Sequence, residues 1–202
     1  MTDDATSHPT RRRLVATGLG ALTAGLAGCA GSPAGDGGSA TPTATSTAGS
    51  EIAVGRSEPA AVPDDADCAV CNMMPAKFPD YNAQLTVEAG DRVFFCSAGC
   101  LAAYYADPGH FEAAHEGATV AGVWVHEYET AALIDAEAAW FVRETEADRV
   151  PDPMGANPVP FGAEADANAY VERYDDLSAS ALLRLADFDM ELARFYRGRF
   201  FE

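Results

Sequence analysis

Alternation is the first regular signal along this chain. Ala83-Gln84-Leu85-Thr86-Val87 switches between apolar and polar positions, Ala89-Gly90-Asp91 marks a turn, and Val93-Phe94-Phe95 resumes, which predicts a β-hairpin. Ser97 is a helix-capping residue type, and Cys100, Leu101, Tyr104 and Tyr105 recur behind it at helical spacing until Pro108 stops the run. Val120 to Tyr128 alternates again, with Val123 and Val125 on one face and Trp124, His126 and Tyr128 on the other. A short strand is expected at Trp140-Phe141-Val142. The order of loop, two strands, helix and two strands describes an α+β unit, assigned to residues 58–145.

Past Val150 the pattern restarts with prolines and the Met154-Gly155 turn. Ala167, Tyr170, Val171 and Tyr174 share a helical face. Leu182, Leu185, Phe188, Leu192 and Phe195 then recur every three or four residues, which predicts a longer helix from Ser178 to about Arg197. Residues 146–202 therefore read as a smaller and more helical second unit.

The N-terminal end carries no such pattern. Arginines 11–13 precede a short apolar run rich in Gly and Ala that closes at Leu26-Ala27-Gly28-Cys29. Residues 1–28 read as a twin-arginine export signal, too short in its apolar part to remain as a spanning helix. The small residues before Cys29 resemble a lipobox, making Cys29 the expected lipidation site and the extracytoplasmic face of the membrane the expected location. Two acyl chains on Cys29 suffice for stable anchoring. Residues 29–57, mostly Gly, Ser, Thr, Pro and Ala at first, bury too little apolar surface to order themselves and read as a disordered tether.

The formal net charge is −18, and Lys77 is the one lysine of the chain. Such acidity excludes non-specific nucleic-acid binding. An acidic, lysine-poor surface is also what adaptation to concentrated salt produces, since salt screens the self-repulsion. The charge is accordingly read as solvent adaptation and assigns no activity.

Chemistry concentrates in sulfur. Besides Cys29, cysteines occur as Cys68-x-x-Cys71 and Cys96-x-x-x-Cys100, with Met73 and Met74 beside the first pair. A disulfide framework, a closed four-cysteine zinc site and a Cu(I) site all fit this spacing. Thioethers beside thiols favour Cu(I), because a soft monovalent ion accepts both donor types. Met154 lies in a proline- and glycine-rich loop and is open as ligand or core residue; His126 reads as a packed histidine, and His110 and His115 as surface residues. A redox role for Cys68-x-x-Cys71 lacks the βαβ context such a motif opens. No general base, nucleophile or cofactor loop stands out, so an enzyme is not expected.

Cys68-Ala69-Val70-Cys71-Asn72-Met73, Ala83-Gln84, Phe95 to Tyr105, Ala136 to Val142, Met154-Gly155, Pro160-Phe161 and Ala169-Tyr170 together resemble the NosL family. The resemblance covers about residues 67–175. It implies two related ββαβ-type units and a membrane-anchored protein that binds Cu(I) and supports copper-centre assembly of nitrous oxide reductase, with that enzyme or its assembly machinery as partner. Carried over by position, Cys71, Met73 and Met154 match the family's sulfur residues and Cys68 its optional extra cysteine. Three features depart from the pattern. Asn72 stands where the family has glycine, Asp175-Asp176 replaces a glycine pair, and Cys96 and Cys100 are additional, either joining the copper site or closing a zinc or disulfide staple.

Overall fold

In a computed structural model of the chain, the structure describes residues 58–202. The expected signal, the Cys29 lipidation site and the tether lie outside the described residues.

The first sheet is antiparallel, with order β2-β1-β3-β4, built from β1 (Ala83–Val87), β2 (Arg92–Phe95), β3 (Val120–His126) and β4 (Leu133–Asp135). The predicted hairpin forms with Leu85 opposite Val93 and Ala83 opposite Phe95. All five residues of β1 are buried, because β1 lies between β2 and β3 and is covered on both faces. Between β2 and β3 run α1 (Ala98–Ala106) and the short α2 (Pro108–Phe111). Asp107 fixes the start of α2 by accepting from the His110 backbone N–H, with proline at the first helical turn where no N–H is needed.

The second sheet has order β6-β5-β7, from β5 (Trp140–Arg143), β6 (Pro158–Phe161) and β7 (Leu182–Leu183), with α3 (Glu164–Val171) between β6 and β7. The run β5-β6-α3-β7 is itself a ββαβ unit. The Trp140–Arg143 strand, grouped above with residues 58–145, pairs with β6 and β7 and belongs to this second sheet. Its alternation makes it the seam of the molecule. Phe141 enters the larger core with Leu85, Phe95, Leu101 and Val123, while Val142 enters a second core with Val159, Phe161 and Tyr170.

The predicted long C-terminal helix is corrected. Helix α4 covers Met190–Arg197 alone, and the preceding leucines lie in β7 and in a single 3-10 turn at Leu185–Asp187. Aspartates account for the break: Asp187 accepts from the Arg184 backbone N–H at 2.7 Å, and Asp189 caps α4 by accepting from the Leu192 N–H at 2.9 Å. Leu185, Phe188 and Leu192 still reach the larger core, so their spacing serves burial without a continuous helix. Helix α4 packs along α1, which brings the C-terminus back to the first unit.

His115, expected at the surface, is buried at 5 % exposure. Its ring lies between the Tyr104 hydroxyl and the Asp91 carboxylate, which compensate its burial.

Candidate metal centre

Two tight pieces of chain bring the thiols together. In the first, the Cys68 N–H donates to the Met73 carbonyl at 2.7 Å and the Asn72 N–H to the Cys68 carbonyl at 2.9 Å. Closing that turn places Asn72 at φ +58°, in the left-handed region that asparagine tolerates better than other side-chain-bearing residues. The Ala69 N–H then donates to the Phe94 carbonyl at 3.2 Å, pinning the turn to the end of β2. In the second piece, Cys96 follows β2 directly and Cys100 sits in the first turn of α1. The chain reversal from strand to helix aims both at the turn.

The four sulfurs of Cys68, Cys71, Cys96 and Cys100 all lie within 4.8 Å of one another. Cys71 Sγ is 3.3 Å from Cys96 Sγ, and Cys96 Sγ is 3.6 Å from Cys100 Sγ. All four are free thiols. Four sulfurs about one ion at a bond length of ~2.3 Å would stand roughly 3.8 Å apart. The observed cluster brackets that spacing, so small side-chain rotations suffice to enclose an ion. Cys68, Cys96 and Cys100 are fully buried, and Cys71 is half-buried. Cys71 is thus the solvent-facing edge of the set.

Crowding divides the thiols electrostatically. Hydrogen bonding from Cys100, then from Cys71 and Cys96, holds Cys68 far below the ordinary thiol range, and Cys71 is lowered first by Cys100. The opposite holds for Cys96, pushed up first by Cys100, and for Cys100, pushed up first by Cys68. Physically, the first protons leave readily because neighbouring S–H groups donate to the new thiolates. The last protons stay, since adjacent buried anions repel. A cation among the sulfurs reverses that penalty and draws all four toward thiolate.

The expected thioethers have a related placement. Met73 and Met154 are half-buried and pack against the core that contains the cysteines. The Met154 loop is stitched to the thiol centre by Asn157, whose side chain donates to the Gly155 carbonyl and accepts from the Gly99 N–H at 2.9 Å, one residue before Cys100. His126 stands apart as a packed residue, its Nδ1 3.0 Å from the Ala131 carbonyl oxygen.

One residue beside the cluster was invisible in the sequence. Arg197, the last residue of α4, is 2 % exposed and its Nε donates to Cys100 Sγ at 3.3 Å. Its other nitrogens donate to Ser97 Oγ at 2.9 Å, to Asn157 Oδ1, and to the Ala156 and Tyr196 carbonyls. An arginine in a last helical turn ordinarily complements the helix dipole at the surface. Nothing in the linear pattern separates Arg197 from Arg194 or Arg199.

The NosL family profile matches residues 59–188. Among solved structures, the chain is similar to the copper chaperone NosL from Shewanella denitrificans, with 23 % identity, a TM-score of 0.52, and coverage of 66 % of this chain and 97 % of that one. No curated protein matches this chain in sequence. That structural likeness supports the fold seen here, and the profile spans the Cys68–Met73 turn, both extra cysteines and the Met154 loop. On this match the chain belongs to the NosL family.

Proposed function

We propose that this chain is a lipid-anchored, extracytoplasmic Cu(I)-binding accessory protein that supports copper-centre assembly of nitrous oxide reductase, and that it acts by binding and transfer rather than by catalysis. The observation that carries the reading is the convergence of four free thiols within 4.8 Å in a NosL family member. The copper-chaperone character of the Shewanella denitrificans relative supports the choice of copper. Soft sulfur donors suit a soft monovalent ion, which is cargo here.

Capture begins at Cys71, the half-buried thiol with a lowered proton affinity, and draws in the buried sulfurs behind it. Met73 and Met154 add thioether donors from the turn and from the second unit. Release is the reverse: an acceptor's ligands attack at the Cys71 edge and replace the sulfurs one at a time. The anchor at Cys29 holds the body outside the membrane, and the acidic, lysine-poor surface fits work in concentrated salt.

A second reading rests on the closure of the site. Three of the four thiols are fully buried, which also suits a structural Zn(II) held by four cysteines. Chelation separates the two: stripping a structural zinc unfolds the body, whereas a cargo site empties with the fold intact. The recipient is tested in cells. A Cys71→Ser strain is expected to lose nitrous oxide reduction under limiting copper, and normal reduction there would overturn the assignment of partner.

A further inference from the structure

Arg197 presents a problem that the thiol centre solves. A guanidinium stays charged at any physiological pH, and burying one without an anionic partner is costly. Yet among the described residues no carboxylate forms an ion pair with Arg197. Asp152 feels its field but does not contact it. The polar partners of the guanidinium, Ser97, Asn157 and two backbone carbonyls, are all neutral. The remaining one is sulfur, at Cys100.

The surroundings are shaped for this contact. Residue 99 is glycine, and a Cβ there would collide with both Asn157 Oδ1 and the Arg197 guanidinium. Asn157 in turn fastens the guanidinium to the Met154 loop and to the first turn of α1. Three segments distant in sequence thus meet at one fixed positive charge, against the wall of a cluster that becomes strongly negative once it holds an ion. Arg197 also lies beyond the segment matched by the family profile, residues 59–188.

We propose that Arg197 is a positioning and charge-balancing residue of the metal–thiolate centre: its N–H···S bond orients Cys100, and its buried charge offsets part of the negative excess left when thiolates enclose a cation of low charge. Helix α4 is then a working part of the metal site. The contact also tempers the donor strength of Cys100, since a thiolate that accepts a hydrogen bond gives less density to the metal. This inference rests on the reading of the thiols as a metal site.

The test uses the full-length reduced chain, with Cu(I) supplied from a competing chelator and binding followed by the ultraviolet thiolate-to-copper charge-transfer band. Arg197→Met is expected to weaken Cu(I) binding about ten- to a hundredfold and to shift the band to lower energy as Cys100 becomes a stronger donor. Arg197→Lys, which keeps the charge, is expected to recover most of the affinity. Should Arg197→Met not fold, Arg197→Gln retains donors for Ser97 and Asn157 without the charge and serves in its place. Wild-type affinity with an unshifted band in a neutral variant overturns the inference, as does a lysine variant no better than the neutral ones, which would mark a structural role. A wild-type chain that ignores Cu(I) overturns the copper reading alone; the same comparison with Zn(II) then decides Arg197, and a chain that binds neither ion overturns both.

Discussion

Cys71 Sγ lies 3.3 Å from Cys96 Sγ across 25 residues of chain, one in a turn pinned to β2 and the other directly after that strand. That approach places the Cys96-x-x-x-Cys100 pair in one cluster with the Cys68-to-Met73 turn. The consequence is measurable: Cys96→Ser should weaken metal binding at least as much as the 10–100-fold typical of losing an outer-shell partner. A Cys96→Ser chain with wild-type affinity in a chelator competition would separate the two pairs.

The turn depends on Asn72 at φ +58°. Asn72→Gly should leave stability nearly unchanged, while Asn72→Val should cost about 1–2 kcal/mol or more through the left-handed backbone and loosen the grip of Cys68 and Cys71. Denaturant unfolding of the reduced chain, with and without metal, reads both effects.

Below the second sheet, Glu144 is fully buried and accepts from the Tyr170 hydroxyl at 2.6 Å, from Arg149 at 3.2 Å and from the Thr145 and Glu146 N–H groups at 2.8 Å. Both carboxylate oxygens are thus engaged. Tyr170→Phe should therefore cost about 1–3 kcal/mol, and Arg149→Ala should also destabilise the fold by removing the cationic partner of a buried carboxylate. Since the Glu144 carboxylate hydrogen-bonds none of the four cysteines, metal affinity in the folded fraction should be unchanged. Thermal melts paired with metal titration test this.

Alkaline pH offers a separate check on both cores. Burial pushes the Tyr104 phenol up to about 12, with Glu112 and Asp91 adding to the shift. Tyr170 and Tyr196 are raised as well, first by burial. A raised folded-state value means that the unfolded chain loses its proton first. Stability is thus intact below the ordinary tyrosine value of roughly 10 and falls as pH climbs from there through about 12. Tyr104→Phe should flatten that fall, as followed by unfolding midpoints at constant ionic strength.

Much of the first unit was legible in the sequence because its signals are local. Alternation at 83–87 and 120–126, the turn at Gly90 and the helical spacing behind Ser97 each report on a few adjacent residues, and each element formed. Asn72 was legible only through the resemblance, as standing where the family has glycine, and its φ is positive. What stayed hidden depends on partners. The strand at Trp140–Arg143 does not record which sheet it joins, and the leucine spacing after Ser178 suits a strand and a 3-10 turn as well as a helix once Asp187 and Asp189 take up the backbone donors. His115 lay in a polar, alanine-rich stretch, so its burial under Tyr104 and Asp91 needed the fold. The convergence of all four cysteines was legible as a possibility of spacing; Arg197 beside them was not legible at all.

The central claim is that the sulfur cluster is a cargo site for monovalent copper. The most direct measurement is a competition titration of the reduced full-length chain with Cu(I) and Zn(II), with X-ray absorption at the copper edge. The account predicts that Cu(I) displaces Zn(II), that its nearest shell is sulfur alone, and that Cys68→Ser combined with Cys96→Ser abolishes binding while the fold persists. Retention of Zn(II) against excess Cu(I), or copper bound through nitrogen and oxygen with the thiols still free, would contradict it.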